Sequence, residues 1–248
     1  MKVSVITVTY NSGSTVKDTL QSVKNQSYDN IEHIIVDGLS SDNTMDIINQ
    51  FDSVSKVISE KDNGIYDAMN KGLDLATGDI IAILNSDDFY ASDKIIENVV
   101  AVMQKTDTDS VYGDLKFVDP VNTEKVVRTW IAGYFSRNNF LYGWMPPHPS
   151  FFVKAELYKK FGNFDTTFRS SADYELMLRF LYGNNVTTQY LNEVLVYMRT
   201  GGQSNMNFKS RIKANREDHR AWKKNNLKPK FYTTILKPIR KIEQFFKS

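Results

Sequence analysis

Hydrophobic positions in the N-terminal part of the chain follow two periods in turn. Residues 3–8 (VSVITV) form a β-branched run, and the polar stretch Thr9-Tyr10-Asn11-Ser12-Gly13-Ser14 follows it. The run predicts a buried strand and the stretch a loop. Ser14 is placed to cap a helix to about residue 26, with Val16, Leu20 and Val23 at helical spacing. Residues 31–36 read as a second strand ended by Asp37-Gly38. Ser41 or Asp42 can cap a helix to about residue 51, and residues 56–58 read as a third strand. Residues 66–76 read as a helix closed by Gly78. Residues 80–84 (IIAIL) are apolar throughout, as expected of a strand covered on both faces, and Ser92 can cap a helix to about residue 105.

Strand and helix thus alternate four times, which predicts a parallel sheet flanked by helices. After about Ser110 the alternation breaks down. Residues 111–118 and 125–131 read as strands of a mixed sheet, and residues 186–196 as strand-like. Residues 155–161 and 172–181 read as helices. Residues 135–149 are aromatic, proline-bearing and irregular, like a loop lining a site. No repeat stands out, and no linker divides the chain before about Gln203.

The 248 residues suffice for one substantial α/β domain with an appendage, and 41% apolar with 24% charged residues is ordinary for a soluble globular protein. With no cysteine, disulfides and thiolate metal sites are excluded, so a metal would need oxygen or imidazole ligands. The N-terminus shows no signal-peptide pattern, and no window approaches the ~18 uncharged apolar residues of a transmembrane helix. Charge is unevenly spread. Residues 205–248 hold 13 Lys/Arg against 3 Asp/Glu, whereas residues 1–204 hold 18 against 26. A basic tail on an acidic body suits an anionic neighbouring surface, or is simply a solvated helical face.

In an open parallel sheet, ligands bind beyond the carboxyl ends of the strands. Three strand ends here carry polar residues suited to a nucleotide: Thr9-Tyr10-Asn11, Asp37, and Asn85-Ser86-Asp87-Asp88. Asp87 and Asp88 are adjacent carboxylates that repel, so a cation is expected to neutralise them. Oxygen-only ligation favours Mg²⁺ or Mn²⁺; the alternative is a helix cap beside a solvated Asp. The chain has no G-x-x-x-x-G-K-[ST] loop, and only Gly13 follows the first strand, so neither a P-loop nor a dinucleotide fingerprint is present.

The segments VSVITVTYN (3–11), VDGLSSDNT (36–44), EKDNGIYDAMNKG (60–72), ATGD (76–79) and LNSDD (84–88) resemble, in order and spacing, the family 2 glycosyltransferases. The resemblance covers about residues 2–204. It implies a GT-A-type, Rossmann-like mixed α/β sheet flanked by helices over residues 1–204. Residues 205–248 then form a basic helical C-terminal extension. It further implies that Tyr10, with Thr7 nearby, packs against the nucleotide base, and that Asp37 accepts the base N–H. Asp62 would be a second carboxylate near base and ribose, Asp87 a ribose or metal contact, and Asp88 the metal ligand proper. Asn85 stands where the family often has Asp. Ser170-Ser171-Ala172-Asp173-Tyr174-Glu175 resembles the block that carries the catalytic base. Asp173 falls on the base, Ala172 replaces the usual Glu, and Glu175 is the fallback. His148 falls in a block near the acceptor or diphosphate, and Arg199 in a late loop that closes over the diphosphate. Turn, helix-dipole and structural roles remain the alternatives for Asp37, Asp173 and His148 respectively. His33 and His219 read as structural or surface residues.

The resulting expectation is a metal-dependent, inverting transfer from a nucleotide-diphosphate sugar, a UDP-sugar first, to a glycan or lipid-linked glycan hydroxyl. A sugar nucleotidyltransferase and a non-catalytic sugar-nucleotide or glycan-binding module are the rival readings, and nucleic acid is not an expected partner. In the tail, Phe231, Ile235, Ile239, Ile242 and Phe246 recur at helical spacing among Lys237, Arg240, Lys241 and Lys247. Such a segment suits a membrane surface, its own domain, or a second subunit in a homodimer. The first would make a cytoplasmic protein peripheral at the inner face of the plasma membrane.

Overall fold

The computed structural model describes residues 1–201, 208–233 and 236–237. Strands β1 (Val3–Thr9), β2 (Ile31–Asp37), β3 (Val54–Ser59) and β4 (Ile80–Ile83) lie parallel in the order β3-β2-β1-β4. They are joined by helices α1 (Val16–Lys24), α2 (Thr44–Ile48) and α3 (Ile65–Leu75). The sheet continues through β8 (Phe151–Lys154), β6 (Ser110–Val118), β9 (Thr188–Arg199) and β5 (Asp88–Tyr90), and β7 (Val126–Trp130) pairs with β6. β8 is antiparallel to both β4 and β6, so the sheet is mixed beyond β4. Helices α4 (Ile95–Thr106), α5 (Ala155–Phe161), α6 (Ala172–Met177) and α7 (Phe208–Lys224) complete the framework.

Side chains alternate across the sheet as the pleat requires. Val3 and Val5 pack with Ile95, Val99 and Met103 of α4 on one face. Ile6 and Val8 pack on the other with α3, α6 and the aromatic residues Trp144, Phe151 and Tyr174. Close packing of α3 depends on Gly72: a Cβ there would stand 2.3 Å from Cγ2 of Ile6.

Two strands escape the sequence reading, and both are short. β5 has three residues and β8 four, so neither builds a periodic signal. β5 also changes the picture of Asp88, which opens a strand paired to Met198 rather than capping a helix. Ser92 is not the cap of α4 either. That helix begins at Ile95, and the side-chain oxygen of Gln26 accepts the Ile96 N–H at 3.0 Å. Gln26, in the turn after α1, thus supplies from a distance the cap expected locally.

The compositional boundary at residue 204 is not a packing boundary. Ala221 and Trp222 of α7 are fully buried in the same core as α3 and α6, and Trp222 Nε1 donates to Tyr174 Oη at 2.8 Å. Beyond α7, Thr233 Oγ1 donates to the Leu141 carbonyl at 2.7 Å, and Tyr232 stacks on Tyr142. The described part of the tail therefore packs on its own domain, with Phe231 exposed. Ile235, Ile239, Ile242, Phe246 and the basic residues Arg240, Lys241 and Lys247 lie outside the described residues. No helix among the described residues is long and apolar enough to cross a membrane.

Thr7 is corrected by its place in the sheet. It is fully buried in β1 and its hydroxyl lies 3.0 Å from Nε2 of His33 on β2, so it belongs to the sheet interior rather than to a nucleotide pocket. His33 is structural, as read. Burial pulls its pKa down from 6.5 to about 3, so the folded protein holds it neutral. The unfolded chain therefore binds an extra proton as pH falls below 6.5, and stability drops in that window. His33→Gln, which cannot titrate, should remove about 3 kcal/mol of the stability loss between roughly pH 6.5 and pH 4. Denaturant unfolding at both pH values measures it, and identical losses in the two proteins would contradict the assignment.

Candidate active site

The carboxyl edge of β1, β2 and β4 is knitted together by polar loop residues. Asn11 adopts a left-handed conformation (φ 48°), donates its N–H to Ser40 Oγ at 2.8 Å and accepts the Ser41 N–H on Oδ1 at 2.8 Å. Asparagine tolerates this region better than most residues. Ser12 and Ser86 share a hydrogen bond of 2.8 Å, which ties the β1 loop to the β4 loop.

Tyr10 projects from this edge with 59% of its surface exposed. Gly38 sits between it and Asp62: a Cβ at residue 38 would fall 2.5 Å from Oδ2 of Asp62 and 3.4 Å from the Tyr10 ring. The three residues thus form a slot with an aromatic wall and a carboxylate wall. Asp62 Oδ1 also accepts the Gly64 N–H at 2.9 Å, just ahead of α3. Asp37 does not line the slot. It is fully buried, and its carboxylate accepts from Ser40 N (3.0 Å), Ser40 Oγ (2.5 Å) and Ser59 Oγ (2.6 Å). Its role in this structure is to shape the loop, because no part of it is open to a base.

Asp87 and Asp88 follow β4 in a tight turn. Asp88 is fully buried, and its Oδ2 accepts from Asn85 Nδ2 at 3.1 Å. Its Oδ1 and the Oδ1 of Asn85 are buried without any hydrogen-bond donor. Burial first, and the charge of Asp87 second, push the Asp88 carboxyl well above the usual range; burial also raises Asp87. The donorless oxygens of Asn85 and Asp88, next to the Asp87 carboxylate, fit a hard divalent cation such as Mn²⁺ or Mg²⁺. No group of three or more His, Cys, Asp or Glu side chains is gathered for a metal among the described residues, so further ligands would come from phosphate oxygens and water.

Arg199 lies beneath this turn, not over it. It is 5% exposed, its Nη1 donates to the Asp87 carbonyl at 2.9 Å, and its Nη2 pairs with Asp18 of α1. The guanidinium fixes the turn from below. Sequence reasoning missed Asp18, which sits on a helix where a lone acidic residue carries no signal. Gly201 is the last described residue of the loop that Arg199 opens; residues 202–204 lie outside.

Asp173 stands in the first turn of α6, where Tyr66 Oη donates to its Oδ1 at 3.1 Å. Tyr66 stacks on Phe164, and His148 meets the same ring edge-on. Burial lowers the pKa of His148 against the opposing pull of Asp173, which keeps the imidazole neutral at physiological pH. Asp62 and Tyr66 flank the start of α3, so one helix N-terminus joins the Tyr10 slot to Asp173. Tyr66 escaped the sequence reading because its helical position gave it an ordinary structural role. Glu175 is not an alternative base. It is 2% exposed, bound in two places by Arg179 (3.0 and 2.9 Å) and once by Asn225 (2.9 Å). A surface cavity of about 580 Å³ lined by Asp109, Lys159, Lys160 and Asn184 opens at the other edge of the sheet and contains none of these residues.

The fold and this strand-edge site define a GT-A glycosyltransferase. Residues 4–171 match the model of glycosyl transferase family 2, and the chain belongs to that family. It is 30% identical over 208 residues to the PGL/p-HBAD biosynthesis glycosyltransferase of Mycobacterium tuberculosis, covering 82% of this chain and 78% of the relative. It is 38% identical over 108 residues to the putative teichuronic acid biosynthesis glycosyltransferase TuaG of Bacillus subtilis, covering 42% and 43%. Among solved structures, S. aureus TarS 1-349 in complex with UDP-GlcNAc superposes with a TM-score of 0.69 at 17% identity, over 100% of this chain and 73% of that one. The mannosyltransferase PcManGT of Pyrobaculum calidifontis, in complex with GDP-Man and Mn²⁺, gives 0.67 at 19% identity, over 95% and 68%. The chain spans 41% of another, longer TarS crystal structure.

The buried Asp88 carboxyl generates a pH dependence. Its folded pKa exceeds its unfolded one, so the folded state holds the proton more tightly. Stability of the metal-free protein should therefore fall as pH rises above the ordinary carboxylate range toward neutrality. Asp88→Asn should flatten that fall. Melting temperatures in chelator across pH 4 to 8, for both proteins, are the measurement; parallel curves would remove the inference.

Proposed function

We propose that the chain transfers a sugar, with inversion, from a nucleotide-diphosphate sugar to a hydroxyl of a glycan or lipid-linked glycan. A UDP-sugar is the favoured donor, supported by the likeness to a UDP-GlcNAc complex. The acceptor class is supported by relatives named for teichuronic acid and PGL/p-HBAD biosynthesis. The observation that carries the reading is the N-terminus of α3, which brings the Tyr10–Gly38–Asp62 slot and the Tyr66–Asp173 pair into one site.

In this reading Tyr10 stacks on the base, and Asp62 accepts from base or ribose. Asp173 takes the proton of the acceptor hydroxyl as it attacks the anomeric carbon, and the Tyr66 hydroxyl orients the carboxylate. Neutral His148 offers a hydrogen bond near the acceptor or the diphosphate. Asp88, with Asp87 shared toward the ribose, would hold Mn²⁺ or Mg²⁺, which would offset the charge of the leaving diphosphate. One base suffices for a single displacement. Residues 1–204, completed by α7, form the catalytic domain. The basic excess of residues 205–248 supports contact with an anionic membrane surface through residues beyond 237, on the cytoplasmic side.

UDP release should be measured with a panel of nucleotide sugars beginning with UDP-GlcNAc, with and without glycan acceptors. Asp173→Asn should lower turnover by about 10³-fold while leaving nucleotide affinity intact. Chelation of divalent cations should abolish turnover, and Mn²⁺ or Mg²⁺ should restore it. Pyrophosphate formation from UTP and a sugar phosphate would favour a nucleotidyltransferase, and binding without turnover on any acceptor a glycan-binding module.

Gly38→Ala tests the slot separately. The added methyl displaces Asp62, so UDP affinity by calorimetry should fall about tenfold while stability changes by less than about 1 kcal/mol. Unchanged affinity would place the nucleotide elsewhere.

A further inference from the structure

Two adjacent acids of α7 reach the chain that delivers Asp173. The Glu217 carboxylate accepts the N–H groups of Arg169 (3.2 Å) and Ser170 (2.8 Å). Asp218 is 3% exposed, and its charge acts on Asp173 and on the Tyr174 hydroxyl. Its Oδ2 accepts from Lys237 Nζ at 2.7 Å, and its Oδ1 is buried without a hydrogen bond. The same ammonium lies 3.8 Å from the centroid of the Tyr174 ring. The Lys237 backbone rests on Gly143, where an added Cβ would come within 2.4 Å of Lys237 N. Residues 169–174 are therefore gripped from behind by one helix and one lysine.

This grip has a physical purpose. α6 continues directly into a π-helical turn over Leu178–Gly183, but the chain that enters it at residues 169–171 is irregular and takes its backbone partners from Glu217. A buried carboxylate without a partner costs several kcal/mol, so Asp218 can reach the α6 approach only in company with a cation. Asp173 is hydrogen-bonded by Tyr66 from α3, and the titratable groups that interact with it electrostatically are His148, from the segment before β8, and Asp218 of α7. An uncompensated Asp218 would put a second negative charge behind the base.

We propose that the Asp218–Lys237 pair is a positioning device for Asp173: the C-terminal segment, through Lys237, neutralises Asp218 and locks residues 171–174 so that Asp173 stays against Tyr66. The proposal rests on the reading of Asp173 as the base. It makes α7 and Lys237 a support for the position of Asp173 rather than an appendage.

Lys237→Met, Lys237→Arg and the double variant Lys237→Met/Asp218→Asn test it in the full chain, by kcat/KM on the nucleotide sugar selected by the panel and by melting temperature. Burial already raises Asp218, so without its lysine the carboxyl stays protonated at low pH and must ionise unpaired as pH rises. The kcat/KM deficit of Lys237→Met should grow from about twofold near pH 6 to on the order of tenfold near pH 9, with melting temperature following. Lys237→Arg and the double variant should stay near wild type at all pH values. A deficit independent of pH, shared by the double variant, would mean lost packing and overturn the proposal. A pH-dependent melting temperature with unchanged kcat/KM would overturn it too, since the pair would then serve the fold alone. Asp173→Asn, assayed alongside, separates the failures. Full turnover in that variant ends the base reading itself, whereas its inactivity beside an unaltered Lys237→Met removes only the positioning role.

Discussion

Asp88 is a carboxylate placed at the end of an apolar strand where water cannot reach it. An ionised group in that position is unfavourable unless a counter-charge or hydrogen bonds compensate. Much of the neighbouring structure compensates in part. Asn85 donates one hydrogen bond to it, Thr19 holds its backbone carbonyl at 2.6 Å, and Arg199 braces the turn while anchored to Asp18. β5 and β9 clamp its backbone in register. What remains uncompensated is Oδ1, buried without a hydrogen-bond partner.

The rest of the site follows from having to arrange groups around that point on a rigid sheet. Loops at the ends of β1 and β2 cannot pack alone, so their side chains bond one another, with Asn11 bridging to Ser40 and Ser41 and Asp37 spending its oxygens on Ser40 and Ser59. α3 docks tightly because Gly72 lets it approach Ile6. Its N-terminus then reaches both the Tyr10 slot and α6. A small change in that docking would move Asp62 and Tyr66 together, so the Tyr10–Gly38–Asp62 slot and the Tyr66–Asp173 pair are mechanically linked.

Behind the site, α6 and α7 share an aromatic and acidic layer. Tyr174, Trp222 and Tyr182 form its apolar part, and Glu217, Asp218, Glu175 with Arg179, and Lys237 its charged part. Buried charges here are all paired or capped onto backbone, the condition under which burial is tolerated. The described C-terminal residues thus brace the chain that carries Asp173.

The first four strands and the helices between them were legible in the sequence, because apolar runs mark β1, β2 and β4 and their polar ends are abrupt. Local patterning also set the mixed character after Ser110 and the structural role of His33. Tertiary structure decided the remainder, because each case depends on a partner remote in sequence. Thr7 and Asp37 turned inward onto His33 and Ser59, and Arg199 went beneath the Asp87 turn to meet Asp18. Glu175 was taken by Arg179 and Asn225, and Gln26 supplied the cap that Ser92 did not. Charge and periodicity left the tail open to a membrane surface, its own domain or a second subunit, and Lys237 pairs with a buried carboxylate of that domain. Periodicity records which face of an element is apolar; it does not record which distant polar group will meet a buried charge, and that meeting chooses the side chains left free for chemistry.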